Sequence, residues 1–220
     1  DYLAFSKKLE QDIRSKYQTD QIKIHIVGFP KWIADLISGF QLIGLFFVIS
    51  IGIAFVLLYI YSHCWKSSVV PLLCSIIAVV WQLGLVKLLG YGLDPYSVLV
   101  PFLIFAIGVS HGVQIISGIS SEAGQGEDKL MPARRAFRVL HIPGAVAILC
   151  DVVGFSTLYM IPIKVIQELA VTASLGVFVI LFTNLVLLPL LMSYIGVTKA
   201  SIKHAQSQLN KDTPVWNAMS

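Results

Sequence analysis

Charge is scarce in this chain. Asp, Glu, Lys and Arg make up 13% of its 220 residues, against about 25% in soluble domains. Cysteine is scarcer still: Cys64, Cys74 and Cys150 form no CxxC pair. A disulfide framework and a zinc site are therefore not expected, and nothing calls for a cofactor. A GxSxG nucleophile elbow is missing. Ser110 and His111 are adjacent, so on a helix they point about 100° apart and make a poor hydrolytic pair. No enzyme is expected. No signal peptide is visible in the first residues, DYLAFSKKLEQDIRSKYQTD, which are polar and lack an initiator Met.

What fills the chain instead is apolar sequence, 56% of all residues. It comes in five blocks, at about 37–62, 69–89, 96–120, 142–161 and 168–195. A run of about 20 apolar residues matches the hydrocarbon thickness of a bilayer. A buried helix of a soluble protein rarely stays apolar on all sides for so long. The fold class that follows is an all-α membrane protein, a bundle of five transmembrane helices.

Five spans put the two chain ends on opposite sides of the membrane. One side carries Lys66, then Lys129, Arg134, Arg135 and Arg138, then Lys199, Lys203 and Lys211. Short cytoplasmic loops are rich in Lys and Arg, which places this group inside and the N-terminal tail outside. The expected location is the inner (plasma) membrane, with a periplasmic or extracellular N-terminal tail and a cytoplasmic C-terminal tail. Within 120–141, Pro132 suits a helix start. Arg134, Arg135 and Arg138 alternate there with Phe137, Val139 and Leu140. This reads as a short basic amphipathic helix lying on the anionic inner leaflet, not as a nucleic-acid patch.

Ahead of the first span, residues 1–20 read as an amphipathic helix with Leu9, Ile13 and Tyr17 on one face. Ile22-Lys23-Ile24-His25-Ile26 alternates with a strict period of two, the pattern of a strand. A lone strand is unstable and needs partners. No other convincing strand is visible, so the partners are expected from sequence outside these residues. Three regions follow: a helix-strand remnant of an extracytoplasmic domain (1–36), the five-span membrane domain (37–195), and a tail with an amphipathic segment (196–220).

Only two strongly titratable groups lie deep in the spans, His111 and Asp151. A charge at the bilayer centre costs about 3 kcal/mol even on lenient insertion scales, so such residues mark functional sites by default. At 1.5 Å per residue, His111 lies roughly 15 Å from the inner end of the third span and Asp151 roughly 13 Å from that of the fourth. Thr183 and Asn184 in the fifth lie roughly 17 Å deep. The three levels coincide within a helical turn. Ser110, Gln114, Ser117 and Ser121 add a polar stripe on the third span. An imidazole beside a carboxylate can exchange a proton, which makes His111 and Asp151 a candidate relay with Ser110, Gln114, Thr183 and Asn184 in support. Asp151 as a purely structural acceptor between helices is the alternative. Gly108-x-x-x-Gly112 is a small-xxx-small pattern and points to close helix packing.

Five spans after an extracytoplasmic α+β end, PFLIFAIGVSHGVQ in the third, then a basic inner helix, then GAVAILCDVVGFSTLYMIPI and ELAVTASLGVFVILFTNLVLLPLL: taken together, these resemble the RND superfamily, in its MMPL-like branch. That branch is related to sterol-sensing-domain proteins such as Patched. The resemblance covers about residues 20–197 and implies spans two to six of one half of a twelve-span transporter, with the helix-strand remnant belonging to its porter domain. It implies export of lipids or other hydrophobic compounds driven by proton-motive force. Implied partners are membrane lipids, a hydrophobic substrate, and the missing second half of the same transporter or a homo-oligomer partner. MMPL-like members often carry an Asp-Tyr pair in the span equivalent to the third. Aligning GVSHG on that motif places Ser110 at the Asp and His111 at the Tyr, so Asp151 is expected to supply the acid instead. The other class of function left open is a sterol-sensing-like module that binds lipid and regulates a partner without pumping.

Overall fold

The computed structural model describes residues 2–19, 21–62, 64–92, 97–123, 128–198 and 202–203. Five helices are long and apolar enough to cross a membrane: Phe29–Ser62, Trp65–Leu88, Ser97–Glu122, Leu130–Met160 and Lys164–Ile195. They correspond to the five apolar blocks. They are called here the first to fifth long helices. The chain divides into two compact units, Asp1–Ser50 and Ile51–Ser220, and the first long helix runs from one into the other.

In the first unit a helix over Tyr2–Leu9 passes through a π-turn, Glu10–Arg14, into a last short turn, Ser15–Tyr17. Leu9 is half-buried, while Ile13 and Tyr17 are exposed. Lys31 holds this segment to the start of the first long helix. Its ammonium sits 3.1 Å from Glu10 and 2.6 Å from Asp35, and Glu10 also pairs with Arg14 at 3.1 Å. The Lys31–Asp35 pair at i,i+4 spacing belongs to the extra turns that start this helix at Phe29, well before its apolar block.

The helix-strand remnant needs correcting. Residues 22–27 adopt no regular structure, and among the described residues there are no strands. Ile22 closes a tight loop instead, exchanging backbone hydrogen bonds of 3.1 and 3.2 Å with Thr19. Period-two alternation sets which way side chains point, but a strand exists only when a neighbouring strand takes its N–H and C=O groups.

The second unit is a helical bundle. Its first turn is stitched by hydroxyls: Ser62 and Ser68 lie 2.9 Å apart, and both donate to the Cys64 carbonyl, at 3.1 and 2.9 Å. The third long helix contacts the second, fourth and fifth. It can do so because glycine removes bulk at the contact points. A Cβ at Gly108 would lie 2.8 Å from Ser75 Oγ, and one at Gly112 would lie 2.7 Å from Pro71 Cβ. At Gly176 of the fifth helix it would meet Ile104 Cδ1 at 2.5 Å. The expected small-xxx-small packing of Gly108 and Gly112 is thus present.

The fourth helix differs from expectation. Arg134, Arg135 and Arg138 do not sit on a separate surface helix; Leu130–Thr157 is one helix with Pro143 inside it. Pro removes one backbone hydrogen bond, and neighbouring helices allow membrane helices to tolerate that loss. Arg135 ties this helix back to the third, bonding the Glu122 carbonyl at 2.9 Å and its carboxylate at 3.4 Å. Ser156 and Ser174, 3.1 Å apart, join the fourth helix to the fifth. The C-terminal amphipathic segment, most of the second-to-third turn and most of 124–128 lie outside the described residues.

Gly176 and Gly154 give a paired test of this packing. Gly176→Ala is expected to lower unfolding stability in mixed micelles by about 1–3 kcal/mol, the usual cost of overpacking. Gly154 has nothing within 4 Å of an added Cβ, and Gly154→Ala should stay within about 0.5 kcal/mol of the parent.

Candidate functional site

His111 is buried, 9% exposed, on the face of the third helix turned to the fourth and fifth. It borders a cavity of about 110 Å³ whose walls include Gln114, Gly144, Ala147 and Leu185. Gly144 keeps the fourth helix thin here: a Cβ on it would touch Leu185 at 3.4 Å. Gln114 stands one turn along from His111 on the same cavity wall. On the fourth helix, Leu140, Gly144 and Ala147 follow one face at i,i+4 and i,i+3 spacing, and Asp151 continues it one turn further. The half-buried Asp151 carboxylate lies within electrostatic reach of His111. Among the described ion pairs none joins the two, so their charges act on each other without direct contact.

Asn184 lies on the other side of Leu185. The fifth helix widens to a π-turn over Leu181–Leu187, where the Leu188 N–H reaches the Thr183 carbonyl five residues back. Pro189 follows, with no N–H to offer the Leu185 carbonyl. Such π-turns are frequent at functional sites. Asn184 is 0% exposed and faces Gly108 of the third helix, where an added Cβ would sit 3.1 Å from its Nδ2 and 2.8 Å from Ser75 Oγ. Ser75 donates to the Pro71 carbonyl at 2.8 Å, and neither amide atom of Asn184 has a hydrogen-bond partner. Leaving a buried polar group unsatisfied costs about 1–3 kcal/mol. Neighbouring Thr183 is fully buried and bends its hydroxyl back to the Val179 and Ile180 carbonyls, at 3.4 and 3.5 Å.

The remaining sequence candidates spread outward. Ser110 and Gln114 are exposed. Ser117, in the same stripe, accepts a 3.3 Å hydrogen bond from Tyr61 of the first long helix. Arg134, Arg135 and Arg138 are exposed at the start of the fourth helix, away from the imidazole. Among the described residues no three His, Cys, Asp or Glu side chains gather as metal ligands would.

One part of the polar interior escaped the sequence reading. Ser68, Ser75 and Gln82 are all buried, at 0%, 0% and 1% exposure, along the second helix. They repeat every seven residues, which keeps them on one face in steps of about 10.5 Å. Gln82 reaches the seam between Gly176 and Ile104, and its Oε1 has no hydrogen-bond partner. The signal was available in SSVVPLLCSIIAVVWQ, but uncharged residues inside an apolar block stand out less than His or Asp.

The MMPL family profile matches residues 6–219 of the chain. A membrane protein of Methanocaldococcus jannaschii is 30% identical over 167 residues, covering 74% of this chain. The chain spans only 41% of that relative's length. No solved structure matches it. Five long apolar helices and a match over nearly all of its length make this a multi-pass membrane protein, and the chain belongs to the MMPL family.

Proposed function

We propose that this chain forms part of the membrane domain of an exporter of lipids or other hydrophobic compounds, driven by proton-motive force. Membership of the MMPL family supports the export class. The observation that carries the coupling is the placement of His111 and Asp151 on neighbouring helices, within electrostatic reach, with the imidazole beside a cavity. A proton taken up from outside neutralises the carboxylate or charges the imidazole. Either event changes the attraction between the third and fourth helices where the dielectric is low. The membrane potential supplies about 2.3 kcal/mol per charge per 100 mV, enough to bias a helix pair between two arrangements. His111 and Gln114 give the otherwise apolar cavity of about 110 Å³ a polar edge, with room for ordered water beside the imidazole. The N-terminal tail faces outward in this reading, and the Lys- and Arg-rich loops face the cytoplasm. The other half of the transporter, or a second copy of the chain, completes the pump.

A second reading keeps lipid binding and drops the pump. It is favoured by a groove of about 450 Å³ between the fourth and fifth helices, walled by Val152, Tyr159, Val171, Leu175 and Phe178. Ser156 and Ser174 add a hydrogen-bonded hydroxyl pair to that wall. A lipid or sterol-like molecule fits such a lining.

Proton uptake separates the two. The full-length protein, in vesicles loaded with a pH-sensitive dye, is expected to pass protons under an imposed gradient. Asp151→Asn and His111→Ala are each expected to reduce that flux to the level of protein-free vesicles. Undiminished flux in both variants sinks the relay. Lipid binding that persists in both, indifferent to the gradient, supports the second reading.

Asn184→Leu asks a different question of the neighbouring core. Its unpartnered amide contributes no hydrogen bond to lose, so denaturation should show stability unchanged or raised by up to about 3 kcal/mol. Proton-coupled flux in the same variant is expected to fall. A large loss of stability would instead make Asn184 a structural residue.

A further inference from the structure

A second groove, unrelated to the relay, opens where the second helix begins and the fifth ends. It holds about 350 Å³, and its walls include Trp65, Lys66, Val69, Leu73, Lys129 and Tyr194. Its chemistry is graded. Trp65, Val69 and Leu73 follow one another at i,i+4 along a single helix face, so the wall descends about 12 Å from rim to floor. At the rim stand two lysines and two aromatic rings; below them the wall is aliphatic. Trp65 and Tyr194 are 62% and 76% exposed, and such rings are favoured at the level of lipid headgroups.

Both rim elements are held in place. Trp65 packs edge-on against Phe55, centroids 4.7 Å apart, and against Tyr59 at 6.5 Å. The stem of Lys129 lies on Gly196, where any Cβ would come within 2.8 Å of its Cγ and Cδ. Gly196 takes φ +75°, a conformation that glycine adopts without strain. Neither Lys66 nor Lys129 is in a described ion pair. The acids nearby in sequence are Glu127 and Asp128, just before Lys129, and Glu122, which pairs with Arg135. Arg134 and Arg138 add further positive charge at the same chain end of the fourth helix.

We propose that this groove binds one anionic phospholipid, with its phosphate between Lys66 and Lys129 and an acyl chain along Val69 and Leu73. Charge and shape select the occupant together. A soluble anion uses the lysines and ignores the aliphatic wall; a zwitterionic lipid uses the wall and gains little from two cations. An anionic lipid uses both. The site is independent of the proton relay, because none of its residues touches the His111 cavity.

Fluorescence from Trp65 reads the site directly. The chain has four tryptophans; Trp32→Phe, Trp81→Phe and Trp216→Phe leave Trp65 as the reporter. The full chain is placed in phosphatidylcholine vesicles that hold a minor share of brominated lipid, either phosphatidylglycerol or phosphatidylcholine. The brominated anionic lipid is expected to quench Trp65 at much lower mole fraction than its neutral counterpart. Each near-surface lysine contributes about fivefold to that preference. Lys66→Gln and Lys129→Gln should therefore each reduce it about fivefold and together abolish it. Lys66→Arg with Lys129→Arg should restore it, and Lys164→Gln should leave it unchanged. Equal quenching by the two brominated lipids overturns the proposal, leaving ordinary annular lipid. Relief of quenching by inorganic phosphate also overturns it, in favour of a soluble anion. Quenching that disappears as protein is concentrated at fixed lipid overturns it as well, by assigning the groove to a second copy of the chain.

Discussion

Inside hydrocarbon, apolar side chains gain little by leaving lipid for another helix, so association rests on close packing and on hydrogen bonds. In this chain that constraint falls on the third long helix. Gly108 and Gly112 let its backbone approach Ser75 and Pro71 of the second helix, and Gly176 lets the fifth helix close on Ile104. Two buried amides are placed by that close approach. Asn184 has its place because Gly108 has no side chain, and Gln82 reaches the seam that Gly176 leaves.

This geometry sorts the interior polar groups into two sets on either side of Leu185. Asn184 and Ser75 occupy the junction of the second, third and fifth helices. His111 and Asp151 occupy the side turned to the fourth. The first set is neutral, rigidly enclosed and incompletely hydrogen-bonded. The second is titratable, and its imidazole borders a cavity. The π-turn at Leu181–Leu187 lies between them, contributing Asn184 to one set and Leu185 to the other. A change of charge in the second set therefore acts on a stretch of helix whose hydrogen bonding already departs from the α pattern.

The five long helices were legible because one-dimensional information suffices for them: a bilayer demands about 20 apolar residues, and each block supplies them. Helix starts were less legible. Phe29 and Leu130 lie well ahead of their apolar blocks, since a helix continues into water wherever pairs such as Lys31–Asp35 support it. The strand at 22–26 was misread for the opposite reason. Its alternation is local, while pairing depends on distant chain. For the candidate site, charge made His111 and Asp151 conspicuous, and depth arithmetic drew Asn184 into the same group. Neither revealed that Asn184 faces Ser75, because which face a residue presents follows from glycine contacts and from the π-turn. Ser68, Ser75 and Gln82 needed only a search for heptad spacing among small polar residues.

The clasp between Arg135 and Glu122 has a further consequence. It closes the link between the third and fourth helices from the side, through a guanidinium on one helix and a carbonyl and carboxylate on the other. The covalent stretch joining them is then relieved of the task of setting their spacing. Doubling such a loop adds only about 0.6 kcal/mol of closure entropy. Evolution and engineering alike are free to lengthen it, or to seat a reporter domain there, with the helix ends still held in register.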